Sequence, residues 1–197
     1  MNKTKKKKGR VILFIVIFVI AFSVWLWWGN ASIQTTHVNI SSEKIPTELD
    51  GFTIVQVSDL HNAEFGNQQD RLLKASPDII AVTGDLIDSN HTDVTKAMEF
   101  INGAVKIAPV YYVTGNHEAW SDQYIELKKQ MLMVGVDVLE DENIIIEYAG
   151  VTIQLLGLND LDFITTDGTY ERLAMIDTKL KNILGESNKY TILLSHR

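Results

Sequence analysis

Polar residues whose types suit a divalent metal ion follow short apolar runs at several points in the chain. They are Asp59, His61, Asp85, Asn116, His117 and His196. Carboxylate, imidazole and amide oxygen are ligands that suit Mn, Fe or Zn. The sequence has no cysteine, so a thiolate metal site or a cysteine nucleophile is excluded. The residue types therefore indicate a metal site with oxygen and nitrogen ligands.

The apolar runs before these residues predict β-strands. Runs rich in β-branched or aromatic residues lie at Phe52–Val57, Asp78–Val82, Val110–Val113 and Tyr190–Leu194. In an open α/β sheet, ligands bind outside the carboxyl ends of the strands, where the following loops converge. We therefore expect the fold to bring the polar residues together.

The segments between the strands predict the remaining elements. Helical patterns lie at Gln68–Ala75, Asp93–Val105, Asp122–Val134 and Thr169–Leu184. Asn143–Tyr148 and Val151–Leu156 flank Ala149-Gly150 and predict a β-hairpin. Alternation of strand and helix predicts an α/β fold with parallel pairing, and the length suits one domain.

Three motifs and a late histidine carry a resemblance to a known family. They are Asp59-Leu60-His61, Gly84-Asp85, Gly115-Asn116-His117-Glu118 and His196. In this order they resemble four of the five motifs of the calcineurin-like metallophosphoesterase superfamily. The residues that flank the motifs are similar to those of its membrane-anchored bacterial branch. The resemblance covers Gly51 to Arg197 and implies a four-layer α/β/β/α sandwich.

The resemblance also implies roles for the individual residues. Asp59 and His61 would bind a first metal ion, Asn116 and His196 would bind a second, and Asp85 would bridge both. Two cations about 3.5–4 Å apart repel each other, so an anionic bridge is needed, and a hydroxide between them is nucleophilic near neutral pH. His117 would face the substrate beside Asn116, either as a proton donor to the leaving oxygen or as a phosphate-binding group. The implied catalytic residues are thus His117 and Asp85.

One motif of the family is missing from the sequence. A Gly-His-x-His block, which in the family gives a further ligand to each metal ion, should follow His196, but the sequence stops at Arg197. We therefore expect a fragment whose sandwich is incomplete at the C-terminus and which alone binds metal poorly. The open alternative is a truncated, non-catalytic remnant of such an enzyme.

Some acidic residues near the motifs have simpler interpretations than metal binding. Asp88 is expected to cap a loop or helix. Glu118 is expected to support His117 or its loop. Asp160 and Asp162 would line the site only if their loop folds over it.

The charge of the chain is unevenly distributed and argues against a nucleic-acid partner. The first ten residues hold 6 of the 18 basic side chains and no acidic one, which leaves 12 basic against 25 acidic side chains. Such an acidic body repels a polyanion unless a local cationic centre offsets the field. Metal ions would supply that centre, and a one-metal nuclease is disfavoured.

The N-terminus predicts a membrane anchor. Residues 1–10 form a basic segment, residues 11–28 are apolar apart from Ser23, and Trp25, Trp27 and Trp28 end the run. The lysines favour the cytoplasmic side and the tryptophans the far interface, which predicts a single-pass signal anchor. A cleaved signal peptide, with a site at Gly29-Asn30-Ala31, is the alternative.

These observations define the expected organisation and activity. Residues 29–50 would be a linker and a first strand, and residues 51–197 a truncated metallophosphoesterase domain outside the cytoplasm. The expected activity is hydrolysis of phosphoester bonds, most simply phosphodiesters, by two divalent ions. A lipid head group or an envelope precursor is an attractive substrate, because the anchor would hold the site near the bilayer.

Overall fold

The computed structural model describes residues 3–31, 35–63, 68–164, 168–185 and 188–197. The chain divides into two compact units, Met1–Ile40 and Ser41–Arg197.

The first unit is dominated by one long helix. Helix α1 spans Lys3–Ala31, and its Lys7–Trp27 stretch of 21 residues has a mean hydropathy of 2.6. By length and composition this stretch can cross a membrane, although a signal sequence passes the same test. The helix extends beyond the predicted span because lysine is a good helix former.

The segment between α1 and the first strand of the sheet corrects one expectation. Residues 32–34 of the predicted linker lie outside the described part of the chain. Residues 35–50 contain a short 3-10 helix at Thr47–Leu49, and the expected first strand is absent from this described stretch. Pro46 has no N–H to donate to a strand partner and suits the position before a helical turn.

The second unit contains a parallel sheet followed at its strand ends by the polar motifs. Its strands, in spatial order, are β1 (Ile54–Val57), β2 (Ile79–Thr83), β3 (Val110–Val113) and β4 (Asp137–Val138). The connecting helices are α2 (Gln68–Ala75), α3 (Val94–Ala104), α4 (Asn116–Trp120) and α5 (Tyr124–Met133). β4 and α4 are too short to show a periodic pattern in the sequence, so neither was predicted.

A second sheet covers the other face of the first. It consists of β5 (Glu142–Tyr148), β6 (Val151–Gly157) and β7 (Tyr190–Leu194), with β5 antiparallel and β7 parallel to β6. Helix α6 (Thr169–Leu184) packs on its outer side, where Asn143 donates to the carbonyl of Ile183 at 2.8 Å.

Two hydrophobic cores follow from the alternation of side chains along β2 and β3. Ile80, Val82, Val110 and Tyr112 face the core shared with α3 and α5, which supply residues such as Ile101 and Leu127. Ile79, Ala81, Tyr111 and Val113 face the core between the sheets, with Ile153, Leu155 and Leu194. The order helix, sheet, sheet, helix confirms the predicted α/β sandwich.

Candidate metal centre

The loops after β1 and β2 lie side by side at the carboxyl edge of the parallel sheet. The backbone N–H of Asp59 donates to Gly84 O at 3.2 Å, and that of His61 donates to Asp85 O at 3.0 Å. Asn62 N continues the pattern to Leu86 O at 3.1 Å. Two neighbouring strands thus deliver Asp59, His61 and Asp85 to one place.

Several of these residues have left-handed backbone conformations. The φ angles are 57° for Asp59, 46° for His61 and 51° for Asp85. Asp and His tolerate this region better than most residues do, but such conformations cost on the order of 1–3 kcal/mol each and persist where the surroundings fix them. The hydrogen bonds between the two loops provide that restraint.

Glycine allows the loop after β3 to approach the carboxylate of Asp85. A Cβ atom on Gly115 would lie 2.2 Å from Asp85 Oδ1, and one on Gly84 would lie 2.6 Å from the Cα of Gly115. The backbone N–H of His117 donates to Asp85 Oδ1 at 2.9 Å. Oδ1 is therefore engaged by the protein backbone, and Oδ2 remains to face the site.

Glu118 holds the loops after β2 and β3 together. Its Oε2 accepts from the backbone N–H groups of Asp85 at 2.8 Å and Gly115 at 2.7 Å. Its Oε1 accepts from those of Leu86 at 2.9 Å and Ile87 at 3.2 Å. Burial raises the pKa of Glu118, and these backbone hydrogen bonds oppose that rise. The side chain thus supports its own loop through Gly115, as expected, and it also holds the loop of Asp85, which was not predicted.

The free oxygen of Asp85 faces three imidazole rings from three different loops. Oδ2 lies 3.5 Å from His196 Nε2, 3.8 Å from His61 Nε2 and 4.0 Å from His117 Nε2. His61 Nε2 is also 3.8 Å from Asp59 Oδ1. The side chain of Asp85 is 5% exposed, whereas that of Asp59 is 58% exposed. Asp85 is thus the buried centre of the cluster, and Asp59 lies at its rim.

Hydrogen bonds give His196 and His117 opposite neutral tautomers. His196 Nδ1 lies 2.8 Å from the carbonyl oxygen of Thr83, which can only accept, so this nitrogen carries the proton and Nε2 keeps its lone pair. The backbone N–H of Ser89 donates to His117 Nδ1 at 2.9 Å, so in the neutral ring Nε2 carries the proton. His196 therefore offers a ligand atom to the site, while His117 offers a hydrogen-bond donor.

The remaining predicted residues lie at the same edge. Asn116 begins α4 and is half-buried, between Gly115 and His117. The buried Nδ1 of His61 has no hydrogen-bond partner in the described part of the chain, and its ring lies 4.4 Å from that of His117 between centroids. The fold therefore brings together all the strand-end residues singled out from the sequence.

Asp88 lies close to the site but is used mainly by its own loop. Its Oδ1 accepts from the backbone N–H groups of Asn90 at 2.7 Å and His91 at 3.3 Å, and it lies 4.0 Å from His117 Nδ1. The hydrogen bond from Asn90 lowers the pKa of Asp88 against the opposing effect of desolvation. The loop-capping role predicted for Asp88 agrees with these contacts.

Sequence reasoning missed several residues that shape the site. Thr83 acts through its backbone carbonyl, and Ser89 acts through its backbone N–H and its hydroxyl, whose Oγ lies 3.2 Å from His117 Nδ1. Neither residue type marks a site in the sequence. Trp120 was not singled out, although its ring lies 5.3 Å from that of His117 and the residue is 57% exposed. The loop of Asp160 does pack against the loop after β3, through a 2.8 Å hydrogen bond from Thr114 to Asn159.

Ligand atoms of the acidic and histidine side chains fall into two groups that are compact enough for metal ions. One group contains Asp59, Asp85 and His196, and the other contains His61, Asp88 and His117; within each, the ligand atoms lie within 4.8 Å of one another. The donor set is carboxylate and imidazole, which suits divalent transition metals.

Comparison with known proteins agrees with the motifs and the fold. An uncharacterized metallophosphoesterase of Campylobacter jejuni is 26% identical over 100% of this chain and 53% of its own length. The metallophosphoesterase YkuE of Bacillus subtilis is 30% identical over 72% of this chain and 54% of its length. A bovine transmembrane protein with a metallophosphoesterase domain is 24% identical over 82% of this chain and 39% of its length. The chain thus spans about half the length, or less, of these curated relatives.

A solved structure and a family profile extend the comparison. The phosphopantetheinyl hydrolase PptH of Mycobacterium tuberculosis shares the fold, with a TM-score of 0.51 and 16% identity over 73% of this chain and 67% of that protein. The profile of the calcineurin-like phosphoesterases matches residues 52–197, which include every residue of the cluster. On this match, together with the motifs and the sandwich fold, the chain belongs to the calcineurin-like phosphoesterase family.

Proposed function

We propose that this chain carries the main part of the active site of a phosphoester hydrolase that uses two divalent metal ions. The observation that supports this most directly is the surrounding of Asp85 Oδ2 by the Nε2 atoms of His61, His117 and His196 within 4.0 Å. A buried carboxylate oxygen in reach of ligands from several loops is the arrangement that a bridging ligand requires.

The residues fit such a pair of ions in chemical type. On the family resemblance, Asp59 and His61 would hold the first ion, Asn116 and His196 would hold the second, and Asp85 would bridge them. This division assigns Asp59 and His196 to different ions, although their ligand atoms lie within 4.8 Å of each other. The lone pair of His196 Nε2 already faces Asp85, because Thr83 O fixes the proton on Nδ1. When bound, the ions supply Lewis acidity toward the phosphoryl oxygens and lower the pKa of a water molecule that becomes the nucleophile.

His117 is suited to act on the substrate rather than on a metal ion. Ser89 N–H occupies Nδ1, so the neutral ring presents an Nε2–H toward the site. This hydrogen can be donated to a phosphoryl oxygen or to the leaving oxygen as the P–O bond breaks. We assign His117 the role of general acid, with Asn116 beside it contacting the phosphate.

The charge of the chain supports a phosphoester that is small or lipid-linked rather than a nucleic acid. Beyond residue 10, the chain holds 12 basic and 25 acidic side chains, so a long polyanion would be repelled outside the metal centre. The apolar helix and the relative named as a transmembrane protein support placement of the domain at a membrane. We infer a lysine-rich N-terminus in the cytoplasm, a domain on the outer face, and a phosphodiester in a lipid head group or envelope precursor as the substrate.

The activity is tested on the protein as its gene encodes it, loaded with Mn²⁺, Fe²⁺ or Zn²⁺. Hydrolysis of bis(p-nitrophenyl) phosphate is measured for the wild type and for His117→Gln. General acid catalysis contributes about 10²–10⁴-fold, so His117→Gln should lower kcat by that range. The matched control is His37→Gln, an exposed histidine outside the motifs, which should keep the wild-type rate. A metal-loaded, folded wild type that hydrolyses neither this diester nor p-nitrophenyl phosphate would refute the proposal.

Orientation is tested with a thiol reagent, because the chain has no native cysteine. Asn188→Cys places an exposed thiol in the domain, and Lys7→Cys places one in the basic segment of residues 1–10. A membrane-impermeant maleimide should label the first variant in intact cells, and the second only after lysis. The reverse pattern would place the domain in the cytoplasm.

A further inference from the structure

A buried carboxylate outside the cluster joins two of the loops that carry it. The side chain of Asp160 has an exposure of 0% and accepts two hydrogen bonds from Arg197, from Nε to Oδ2 at 2.8 Å and from Nη2 to Oδ1 at 2.9 Å. This bidentate, charge-assisted geometry is the strongest form of the Arg–carboxylate pair. Arg197 immediately follows His196, so the pair fixes the backbone beside that ring.

The same residue is attached to the loop after β3. The backbone N–H of Asp160 donates to Thr114 Oγ1 at 3.1 Å, and Thr114 in turn donates to Asn159 Oδ1 at 2.8 Å. Thr114 is fully buried and stands two residues before Asn116. Asp160 thus connects the loops that carry His196 and Asn116.

The ionised form of Asp160 is favoured despite its burial. Burial raises the pKa of Asp160, but hydrogen bonds from Arg197 and from the backbone of Asp162 outweigh it and leave the pKa below its ordinary value. Asp162 adds a further contact to Arg197 Nη2 at 2.8 Å. Both Asp160 and Arg197 are therefore charged near neutral pH, and their contact is an ion pair.

We propose that Asp160 is a positioning residue for the second metal ion of the site, acting through Arg197 and Thr114. This rests on the proposed function, because it assumes that Asn116 and His196 bind that ion. The loops of Asp59 and His61 are held differently, by backbone hydrogen bonds to Gly84 and Asp85. Loss of the Asp160 side chain should therefore weaken binding of the second ion and leave the affinity for the first ion unchanged.

The decisive variant is Asp160→Asn, which keeps the shape of the side chain but removes the charge and one of the two acceptors for Arg197. Residues that support metal ligands typically contribute 10–100-fold to metal affinity, so the dissociation constant of the second ion should rise by about tenfold or more. The affinity for the first ion should stay unchanged.

Mn²⁺ binding is followed in the whole protein, as its gene encodes it, by isothermal titration calorimetry and by electron paramagnetic resonance. The wild type should give the exchange-coupled signal of a manganese pair. Asp160→Asn should give a single-ion signal at the same manganese concentration, and excess manganese should restore the coupled one. The control is Asp177→Asn, which breaks the exposed pair with Lys181 on α6 by the same chemical change and should bind like the wild type.

Each outcome separates this inference from the proposed function. A wild type that shows no manganese pair refutes the two-metal function itself. A normal wild type with an Asp160→Asn variant that binds both ions as tightly, or loses both equally, overturns only the positioning role. If Asp160→Asn does not fold, Thr114→Val serves as the second variant, because it removes the acceptor of the Asp160 backbone N–H. It should selectively weaken binding of the second ion. An unchanged affinity for that ion would equally overturn the inference.

Discussion

Replacement of Glu118 by Gln should destabilise the domain strongly, although the two side chains have nearly the same shape. The carboxylate accepts four backbone N–H groups, two on each oxygen, from Asp85, Gly115, Leu86 and Ile87. A Gln side chain has one oxygen that accepts and one NH₂ group that only donates. Two buried N–H groups would therefore lose their acceptor and face another donor.

The size of the effect follows from the cost of unsatisfied buried donors. Each costs about 1–3 kcal/mol, so Glu118→Gln should lower the free energy of unfolding by about 2–6 kcal/mol. The glutamate is 1% exposed, so water does not replace the lost acceptors. Activity should fall as well, because the affected N–H groups hold the backbone of Asp85 and Gly115.

Urea unfolding followed by circular dichroism measures the change. The matched control is Glu147→Gln on β5, an exposed glutamate, which should change the free energy of unfolding by no more than about 0.5 kcal/mol. A variant as stable as the wild type would show that the four hydrogen bonds do not hold the loops.

Three further outcomes are expected. Asp85→Asn should lower kcat roughly tenfold more than Asp59→Asn, because only Asp85 is placed to bind both ions, and equal residual rates would count against the bridge. Gly115→Ala should destabilise the domain by at least about 1–3 kcal/mol in urea unfolding, since its Cβ would lie 2.2 Å from Asp85 Oδ1. Although burial raises it, the pKa of Asp160 in the folded protein lies below 3.8 because of its pairing with Arg197. The pair should therefore contribute fully to the stability of the domain above pH 3.8 and lose this contribution as the pH falls through the folded pKa. Acid unfolding of the wild type and Asp160→Asn should therefore converge at low pH.

Much of the fold could be predicted because its elements have strong local signals. The helices at Gln68–Ala75 and Thr169–Leu184 and the strands at Val110–Val113 and Tyr190–Leu194 have the predicted bounds. In these segments the pattern of apolar residues, the positions of the residues that end helices and strands, and the burial of side chains all indicate the same element. The first strand expected at residues 29–50 is absent from the described residues 35–50, because a polar segment with one proline carries little periodic information. The short β4 and α4 were likewise not predicted.

The sequence predicted which residues come together at the site, but not the contacts that hold their loops in place. Parallel strands place their loops at one edge, so the gathering of Asp59, Asp85 and Asn116 after β1, β2 and β3 followed from topology. His196 follows β7 of the second sheet, so its approach to Asp85 depends on how the two sheets pack together. The Asp160–Arg197 pair joins residues 37 positions apart in the sequence, and nothing local marks either partner. Long-range ion pairs of this kind become visible only when the loops are in place.

The two histidines that face Asp85 show why residue type alone does not assign a role. His117 and His196 have the same side chain and present the same atom, Nε2, to the same carboxylate oxygen. Their protonation differs because a backbone N–H of Ser89 faces one Nδ1 and a backbone carbonyl of Thr83 faces the other. Groups of the neighbouring main chain thus leave His117 with an Nε2–H that can be donated and His196 with an Nε2 lone pair that can bind a metal ion. The difference between the two rings therefore depends on the geometry of the end of β2 and of the loop that follows it, and Glu118 holds the first part of that loop in place.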